Sequence, residues 1–516
     1  MAGMWVAITG VGIIVPSLVT TQHLVCSHTG AECWRSIPHS LRSHFSQYQG
    51  RSPSFLLAAP DNFNPDLQPQ PSAPAPTETP VEKPRIPSVP SPAPSLQPTI
   101  SVPKPIPVEK PRIPSVPSPA PSPQPTPITN AAPRLTQETD QIAAKRAWKY
   151  FERNWNTKTG LVNAVDNFPW TTLWDQGSAI LGIHAARQLG LLPAGVFHKR
   201  INTLLQTLET LPLPATGLPN KAYSTHTAQM RQLDNTPDPQ GKSGWSALDT
   251  ARFLVGLHVL REHYPEYSDR IHRITKRWEL ANLVKNGWLN GGISTANGKI
   301  LQVQEGRLGY EQYAAHSLKL WNLEADKALS QPPIKTVLVD GIMLEVDQRN
   351  FKNSGATNYL TNDPYLLWGL ELGWSDAVKP QVNKLLQLQE GRFQRTGILT
   401  AVNEDSLDRP PYFLYYSVYA DDQPWHVTDT RGRAYPQLRF LSTKAAFAWF
   451  ALMPDNPYTK KLRNFVQNLA DPHRGYLSGR YEQRHLGVNR SIDINTNAIV
   501  LESLLYQARG QRPLVF

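Results

Sequence analysis

The chain has 516 residues, enough for about two to four average domains, but most of its 48 prolines fall before residue 134, so the globular part is shorter than the whole. Lys and Arg number 52 against 41 Asp and Glu. This surplus is not gathered into a basic stripe, and no nucleic-acid motif or phosphate-binding loop accompanies it. The sequence therefore argues against a nucleic-acid partner.

The first predicted segment, residues 1–60, begins with the apolar run 4–19 (MWVAITGVGIIVPSLV). It is shorter than the ~20 residues of a membrane-spanning helix, and its length suits a signal-peptide core or a signal anchor. No Lys or Arg precedes it, and no clear small-x-small cleavage site follows. We expect a periplasmic or extracellular protein, with membrane anchoring through residues 4–19 as one alternative and a misplaced start codon or decayed signal as another.

The two cysteines, Cys26 and Cys33, lie in the same N-terminal region. They could form a small disulfide in an oxidising compartment, but no predicted fold depends on them.

Residues 61–134 are rich in Pro, Ser and Gln, and the segment 81–95 (VEKPRIPSVPSPAPS) recurs unchanged at 108–122. Such a composition cannot bury enough apolar surface to fold, and its prolines favour extended polyproline II. We predict a disordered linker that spaces the next domain from a membrane or wall. A docking site for proline-binding modules is the alternative.

Residues 135–516 change to helical periodicity. The predicted helices are 136–155, 178–189, 196–211, 246–263, 267–285, 310–328, 364–372, 376–390, 442–452, 458–470 and 496–509. Strands are expected to be minor, with one hairpin at 293–303 around Asn297-Gly298 and another at 336–346 around Asp340-Gly341.

Two asymmetries in this list predict the architecture. The helices that start near residues 178, 246, 310, 364, 442 and 496 are apolar nearly all round, which is typical of inner helices, whereas those between them are amphipathic. Connections from inner to outer helices are short, and connections from outer to inner helices are long. We therefore predict an all-α (α/α)6 toroid whose long loops and minor β-hairpins share one rim, although the outer helix between residues 328 and 363 is not visible in the pattern. The alternative, an open solenoid, lacks a fixed repeat period.

The long loops are rich in aromatic side chains, amides and carboxylates. Aromatic faces pack on sugar rings while amides and carboxylates bind hydroxyls, so the composition predicts a cleft for a polysaccharide or oligosaccharide. Packing of single aromatic residues onto the helices is the competing interpretation. The predicted substrate-binding residues are Trp170, Trp174, Trp245, Tyr310, Tyr313, Tyr481 and Asn495.

Several motifs in order resemble the bacterial family called domain of unknown function 3131, which is grouped with glucoamylase-like toroids. They are TTLWDQGS at 171–178, LGYEQYAA at 308–315, STKAAFAW at 442–449, GRYE at 479–482 and NTNAIVLE at 495–502. The resemblance spans the whole helical region. It implies the toroid fold and, through hydrolases and transglycosylases among the related toroids, activity on a polysaccharide.

Glycosidic cleavage requires one carboxylic acid and a second carboxylate. Glu311 is the first choice for the acid, because it lies in the first turn of an inner helix between two tyrosines, where burial would raise its pKa. Asp175, at a helix start, and Glu482, in the last long loop, are the predicted partners. Each also has an ordinary structural interpretation: a first-turn Glu, a helix cap and a surface ion pair. Asp249 and Glu502 fall inside helices, where a buried structural role is expected.

No cofactor or metal is predicted. The 14 histidines show no paired ligand spacing, and the acidic stretch 403–408 lacks a full calcium-loop pattern. The leading hypothesis is an exported glycoside hydrolase or transglycosylase. The alternatives are a non-catalytic protein for glycan binding or exopolysaccharide assembly, and a helical protein-interaction scaffold. The sequence does not determine the oligomeric state.

Overall fold

A computed structural model describes residues 133, 135–294, 299–330 and 332–516. The predicted signal or anchor segment, nearly all of the linker, both cysteines and the tip of the first predicted hairpin lie outside these residues. Within them, no helix combines the length and apolarity needed to cross a membrane.

The described chain alternates between outer and inner helices. In chain order the α-helices are α1 (Glu138–Asn154), α2 (Leu173–Gln188), α3 (Ala194–Thr210), α4 (Ala247–His263), α5 (Ser268–Lys276), α6 (Tyr310–Lys319), α7 (Asp326–Ser330), α8 (Phe351–Ser354), α9 (Asp363–Leu367), α10 (Lys379–Thr396), α11 (Thr443–Leu452), α12 (Pro457–Val466) and α13 (Ile494–Ala508). A π-helical turn, Trp368–Leu372, extends α9.

The inner helices form a closed ring. Helix α2 packs on α4, α4 on α6, α6 on α9, α9 on α11, α11 on α13, and α13 returns to α2. Every residue of α2 from 173 to 186 is buried, as expected for a helix with neighbours on all sides. The predicted helical toroid is therefore observed, and the open solenoid is excluded for the described residues.

The pattern predicted one helix over 310–328 and left unseen the outer helix expected between residues 328 and 363. In the structure α6 ends at Lys319, Asn322 adopts a left-handed φ of 57°, and the 5-residue α7 follows and contacts α6. Between residues 328 and 363 the described helices are the end of α7 and the 4-residue α8. Amphipathic periodicity continues across so short a break, so the predicted helix ran past it.

The strands of the described residues all lie in the outer-to-inner connections, where they form small antiparallel sheets. They are β1 (Trp170–Thr172), β2 (Ala222–Ser224), β3 (Met230–Arg231), β4 (Val284–Lys285), β5 (Trp288–Ser294), β6 (Ile300–Gln304), β7 (Ile334–Val339), β8 (Ile342–Asp347), β9 (Glu404–Ser406), β10 (Phe413–Ala420), β11 (Gln423–Thr428), β12 (Phe440–Ser442), β13 (Ala470–Asp471), β14 (Gly475–Tyr476), β15 (Gly479–Tyr481) and β16 (Val488–Asn489).

Both predicted hairpins are present. Strand β5 pairs with β6, and β7 pairs with β8. The turn between β7 and β8 is Asp340-Gly341, whose φ values of 47° and 84° match the positive φ that a two-residue hairpin turn requires. Because the strands and long loops connect outer helices to inner helices, they lie at the rim formed by the N-terminal ends of the inner helices.

A buried charge network crosses the inner ring. Arg252 on α4 donates to the Glu371 carboxylate through Nε (3.3 Å) and Nη2 (3.1 Å), and its Nη1 donates to Ser178 on α2 (2.6 Å). Tyr313 on α6 donates to the other Glu371 oxygen at 2.5 Å, and Glu502 on α13 lies 3.5 Å from Arg252. The network thus links four inner helices and the π turn.

Two carboxyl groups share this one guanidinium, so they cannot both ionise easily. Burial, followed by the negative charge of Glu371, raises the pKa of Glu502 well above its ordinary value. Burial also raises the pKa of Glu371, against the opposing effect of Arg252. We infer that Glu502 is the protonated partner and hydrogen-bonds to the Glu371 carboxylate.

Replacing Arg252 with Met should lower the free energy of unfolding by about 3–5 kcal/mol, because it leaves the Glu371 charge buried without its partner. Arg261→Met is a matched control on the same helix. Arg252 lies over the Trp174 indole (4.9 Å to its centroid), and Arg261 lies over that of Trp321 (4.8 Å). The Arg261 side chain, however, is 33% exposed and pairs with Glu262, so we expect a loss below about 1 kcal/mol. Urea denaturation measures both, and equal losses would contradict a special role for Arg252.

Candidate functional site

Asp175 lies at the loop-bearing end of the inner ring. Helix α2 begins at Leu173, about one turn before the predicted start, because Thr172 caps it and Asp175 completes a capping box. The Asp175 Oδ2 atom accepts from the Thr172 backbone N–H (2.9 Å) and hydroxyl (2.8 Å), and Oδ1 accepts from the Asn495 amide (3.0 Å). Asp175 is thus the third residue of the helix and not its cap.

The Asp175 carboxyl is fully buried, and this burial raises its pKa to about 6 in spite of the hydrogen bonds that favour its charge. The negative charge of Asp249 raises the pKa further. Asn495, which is partly exposed, joins Asp175 to Ser178 and so to Arg252. A carboxyl group with this pKa holds a proton at mildly acidic pH, as a general acid must.

Asp249 repeats the position of Asp175 on the neighbouring inner helix. Ser246 caps α4 and accepts the Asp249 backbone N–H at 3.0 Å, so Ser246-x-x-Asp249 has the same spacing as Thr172-x-x-Asp175. The two carboxylates therefore lie in the first turns of adjacent helices. Asp249 is 3% exposed.

Glu305 and Lys221 join this acidic group, and sequence reasoning missed both. Glu305 accepts from the Ser246 hydroxyl (2.7 Å) and the Ala247 N–H (2.5 Å), which places it at the start of α4. Burial raises the pKa of Glu305 to about 7 and lowers that of Lys221 to about 8. The repeated capping spacing could have indicated Asp249, but only the folded loop brings Glu305 to this helix end.

Glu311 is held by an ion pair. Its carboxylate is 2.8 Å from Arg349 Nη2 and accepts from the Gln304 amide at 2.9 Å. Burial raises its pKa, while Arg349 and Gln304 lower it. Arg349 also bonds to Asp347 at 2.6 Å and lies over the partly exposed indole of Trp288, with 5.6 Å to its centroid.

Glu482 is in a similar arrangement elsewhere on the rim. Both of its oxygens accept from Arg392 at 2.8 Å, and one also accepts from the Tyr416 hydroxyl at 2.8 Å. Arg392 in turn lies over the Trp425 indole, 5.2 Å from its centroid. The three predicted catalytic residues thus occupy separate networks, and no described hydrogen bond or ion pair joins Asp175, Glu311 and Glu482 directly.

Three of the predicted sugar-binding aromatics come together. The Trp174 ring lies 6.3 Å from that of Tyr310 and 6.1 Å from that of Tyr313. The Tyr310 hydroxyl donates to Glu404 at 2.6 Å. All three rings are buried, so their contact with a sugar stays a prediction that would require the loops to move.

The remaining predicted aromatics are also buried in the loops. Trp170 donates to the Gln232 carbonyl (3.0 Å), and Trp245 donates to the Asn290 carbonyl (2.8 Å). Tyr481 donates to Asp408 at 2.7 Å. In this structure they support the loops, whereas Asn495 is the predicted binding residue that combines partial exposure with a contact to Asp175. In the described ranges, no cluster of three or more His, Cys, Asp or Glu residues could hold a metal ion.

Comparison with known proteins identifies a family and a fold. The model of the family described as "Protein of unknown function (DUF3131)" matches residues 142–510. A search of curated protein sequences returns no match.

Solved structures share the architecture. An endo-β-1,2-glucanase from Chitinophaga pinensis, in complex with sophorotriose and glucose, matches with a TM-score of 0.52 and 13% identity over 73% of this chain and 95% of its own. A candidate glucoamylase from Bacteroides caccae has a TM-score of 0.50 and 13% identity over 73% and 96%. One from Bacteroides fragilis has a TM-score of 0.50 and 14% identity over 76% and 97%. At such identities the likeness is one of fold.

The raised pKa of Asp175 predicts a pH effect on stability. Because the fold favours the protonated form, its contribution is fully present below about pH 4 and is lost as the pH rises through about 6. Asp175→Asn keeps an oxygen for the Thr172 N–H but cannot ionise. Between pH 4 and 7 the variant should therefore gain roughly 3 kcal/mol in unfolding free energy relative to the wild type.

Urea unfolding at a series of pH values measures this difference. Glu138→Gln on the exposed start of α1 is the control and should follow the wild-type curve. A constant difference between the wild type and Asp175→Asn across the range would contradict the assigned pKa.

Proposed function

We propose that this chain, which belongs to the DUF3131 family, is a carbohydrate-active protein that hydrolyses a glycan at the rim where its inner helices begin. The observation that carries the proposal is the pair of first-turn carboxyls on adjacent inner helices, Asp175 and Asp249, with Asp175 poised to carry a proton. The glucanase with the same fold, which was solved with sophorotriose and glucose, supports a sugar as the substrate class.

In the proposed reaction, Asp175 donates its proton to the glycosidic oxygen as the bond from that oxygen to the anomeric carbon breaks. Asp249 supplies the second carboxylate that glycoside hydrolysis requires, either accepting a proton from the attacking water or forming a glycosyl intermediate that water then opens. The different environments of the two carboxyls favour this division, since burial raises the pKa of Asp175 so that it carries a proton at mildly acidic pH, while Asp249 contributes negative charge beside it.

Glu311 and Glu482 have a different proposed role. Each holds an arginine against a partly exposed tryptophan, so each supports a surface of guanidinium and indole that suits a sugar ring and its hydroxyls. We therefore assign them to substrate binding rather than to proton transfer.

The assay incubates the full chain with a panel of α- and β-glucans and exopolysaccharides and measures released reducing ends. Asp175→Asn and Asp249→Asn should each lower kcat by about 10²–10⁴. Glu311→Gln and Glu482→Gln should mainly raise KM. Asp238→Asn is the control, because this buried loop aspartate is bonded to Ser243 and the Lys242 N–H and should leave kcat unchanged.

Wild-type kcat in Asp175→Asn would remove Asp175 from the mechanism. Glycan binding without any cleavage by the wild type would instead favour the second candidate, a non-catalytic glycan-binding or assembly protein. That candidate is supported by the internal bonds that occupy Glu311 and Glu482 in this structure.

Export remains part of the proposal and rests on the apolar run 4–19. Deleting residues 4–19 should shift the protein from the envelope or medium to the cytoplasm in cell fractionation. A point variant elsewhere, such as Glu138→Gln, should not change its location. An unchanged distribution after the deletion would contradict export through this segment.

A further inference from the structure

A second polar group lies across the inner ring from Asp175 and Asp249. It consists of Asp363 at the start of α9, Asn403 in the loop before β9, Asp405 in β9 and Lys444 in the first turn of α11, and we call it the Lys444 set. In a closed ring of this order, α9 is opposite α2 and α11 is opposite α4. The set therefore borders the same rim from the far side.

Four acceptor oxygens of the Lys444 set have no donor within hydrogen-bonding geometry. Lys444 Nζ is 3.0 Å from Asp363 Oδ1 and 4.0 Å from Asp405 Oδ1, and the Asn403 amide donates to Asp363 Oδ1 at 2.8 Å. Asp363 Oδ2, Asn403 Oδ1 and both Asp405 oxygens lack a hydrogen bond of ordinary geometry. Burial raises the pKa of Asp405 well above its ordinary value, against the opposing effects of Lys444 and Ser442, so its protonated form is favoured. All four side chains are at most 2% exposed.

Unfilled acceptors at this depth are costly, because a buried oxygen that loses water without gaining a donor is destabilising. A purely structural cluster would be expected to satisfy them. A protonated Asp405 supplies one hydrogen, which leaves acceptors for the donors of a ligand.

The chemistry of the set selects the ligand. An anion would be repelled by Asp363 and by the nearby Glu404, whose charges also act on Lys444. A metal cation would compete with the Lys444 ammonium, which already occupies the centre. Neutral hydroxyl groups fit both needs, since they donate to the carboxylates and accept from the ammonium.

We propose that the Lys444 set is a subsite that binds the hydroxyls of a neutral sugar unit, so that a glycan lies across the ring between this set and Asp175. The inference rests on the proposed function and extends it by naming an uncharged sugar and its second contact. The side chains are closed to solvent in this structure, so the sugar reaches them when the surrounding loops open.

The first test needs no ligand. Asp405→Asn replaces the buried carboxyl with an amide that cannot ionise and that offers two N–H donors to the unfilled acceptors, so the free full-length protein should melt about 1–3 °C higher than the wild type. Asp429→Asn is the matched control, a buried aspartate of the same long loop whose oxygens accept from the Arg431 and Arg433 backbone N–H groups and the Arg433 side chain, and it should melt lower. A fall for Asp405→Asn as large as that of the control would overturn the proposal.

The second test titrates sophorotriose, cellotriose and maltotriose into the same proteins by calorimetry. For a sugar that the wild type binds, Asp405→Asn should bind about tenfold to a hundredfold more weakly, while Asp429→Asn should match the wild type. Unchanged binding by Asp405→Asn would overturn the subsite and leave the proposed function intact. If the wild type binds none of the three sugars, the proposal that a glucan unit occupies the Lys444 set is overturned. Hydrolysis in the separate polysaccharide panel then tests the proposed function independently.

Discussion

The positive charge of Arg252, fixed inside the ring of inner helices, is the constraint on which the described architecture depends most. Burial opposes the charge, but the Glu371 carboxylate raises the pKa of Arg252 and keeps it ionised. Glu371 and Glu502 lie far apart in the sequence, and Ser178, Tyr313 and Asn495 complete the network. Desolvation offsets much of the attraction within a buried ion network, so removing one partner destabilises the fold more than the intact network stabilises it.

The closed ring of inner helices also places the carboxyl groups at one rim. Inner helices need short returns to the outer layer, whereas the outer-to-inner connections carry the strands and long loops. The free N–H groups at the starts of the inner helices therefore meet folded loops, and cap side chains such as Ser246, Ser442 and Asp493 accept from them. Asp175 combines two roles for this reason: it completes a capping box, and the burial that comes with that position raises its pKa.

Two rim arginines show how loop residues are kept in place. Arg349 and Arg392 each bond to a carboxylate and lie over an indole, so the guanidinium is oriented on both sides. The loops that bear Trp288 and Trp425 are thereby tied to inner and outer helices. Glu311 and Glu482 can therefore orient neighbouring groups, but the charge of each is already paired with an arginine.

Burial on all sides, amphipathic periodicity and turn residues such as Asp340-Gly341 are local properties of the chain, so the sequence alone predicts the helical toroid, most inner helices and both hairpins. It also indicated Glu311 as a first-turn carboxyl between tyrosines and Asp175 as a carboxyl at a helix start. Contacts that exist only in the folded chain separate α7 from α6, pair Glu311 and Glu482 with Arg349 and Arg392, and bring Glu305 and Lys221 to Asp249. Those arrangements depend on contacts between residues far apart in sequence, such as the bond between Glu482 and Arg392, and the folding of the long loops sets them, which no local pattern encodes.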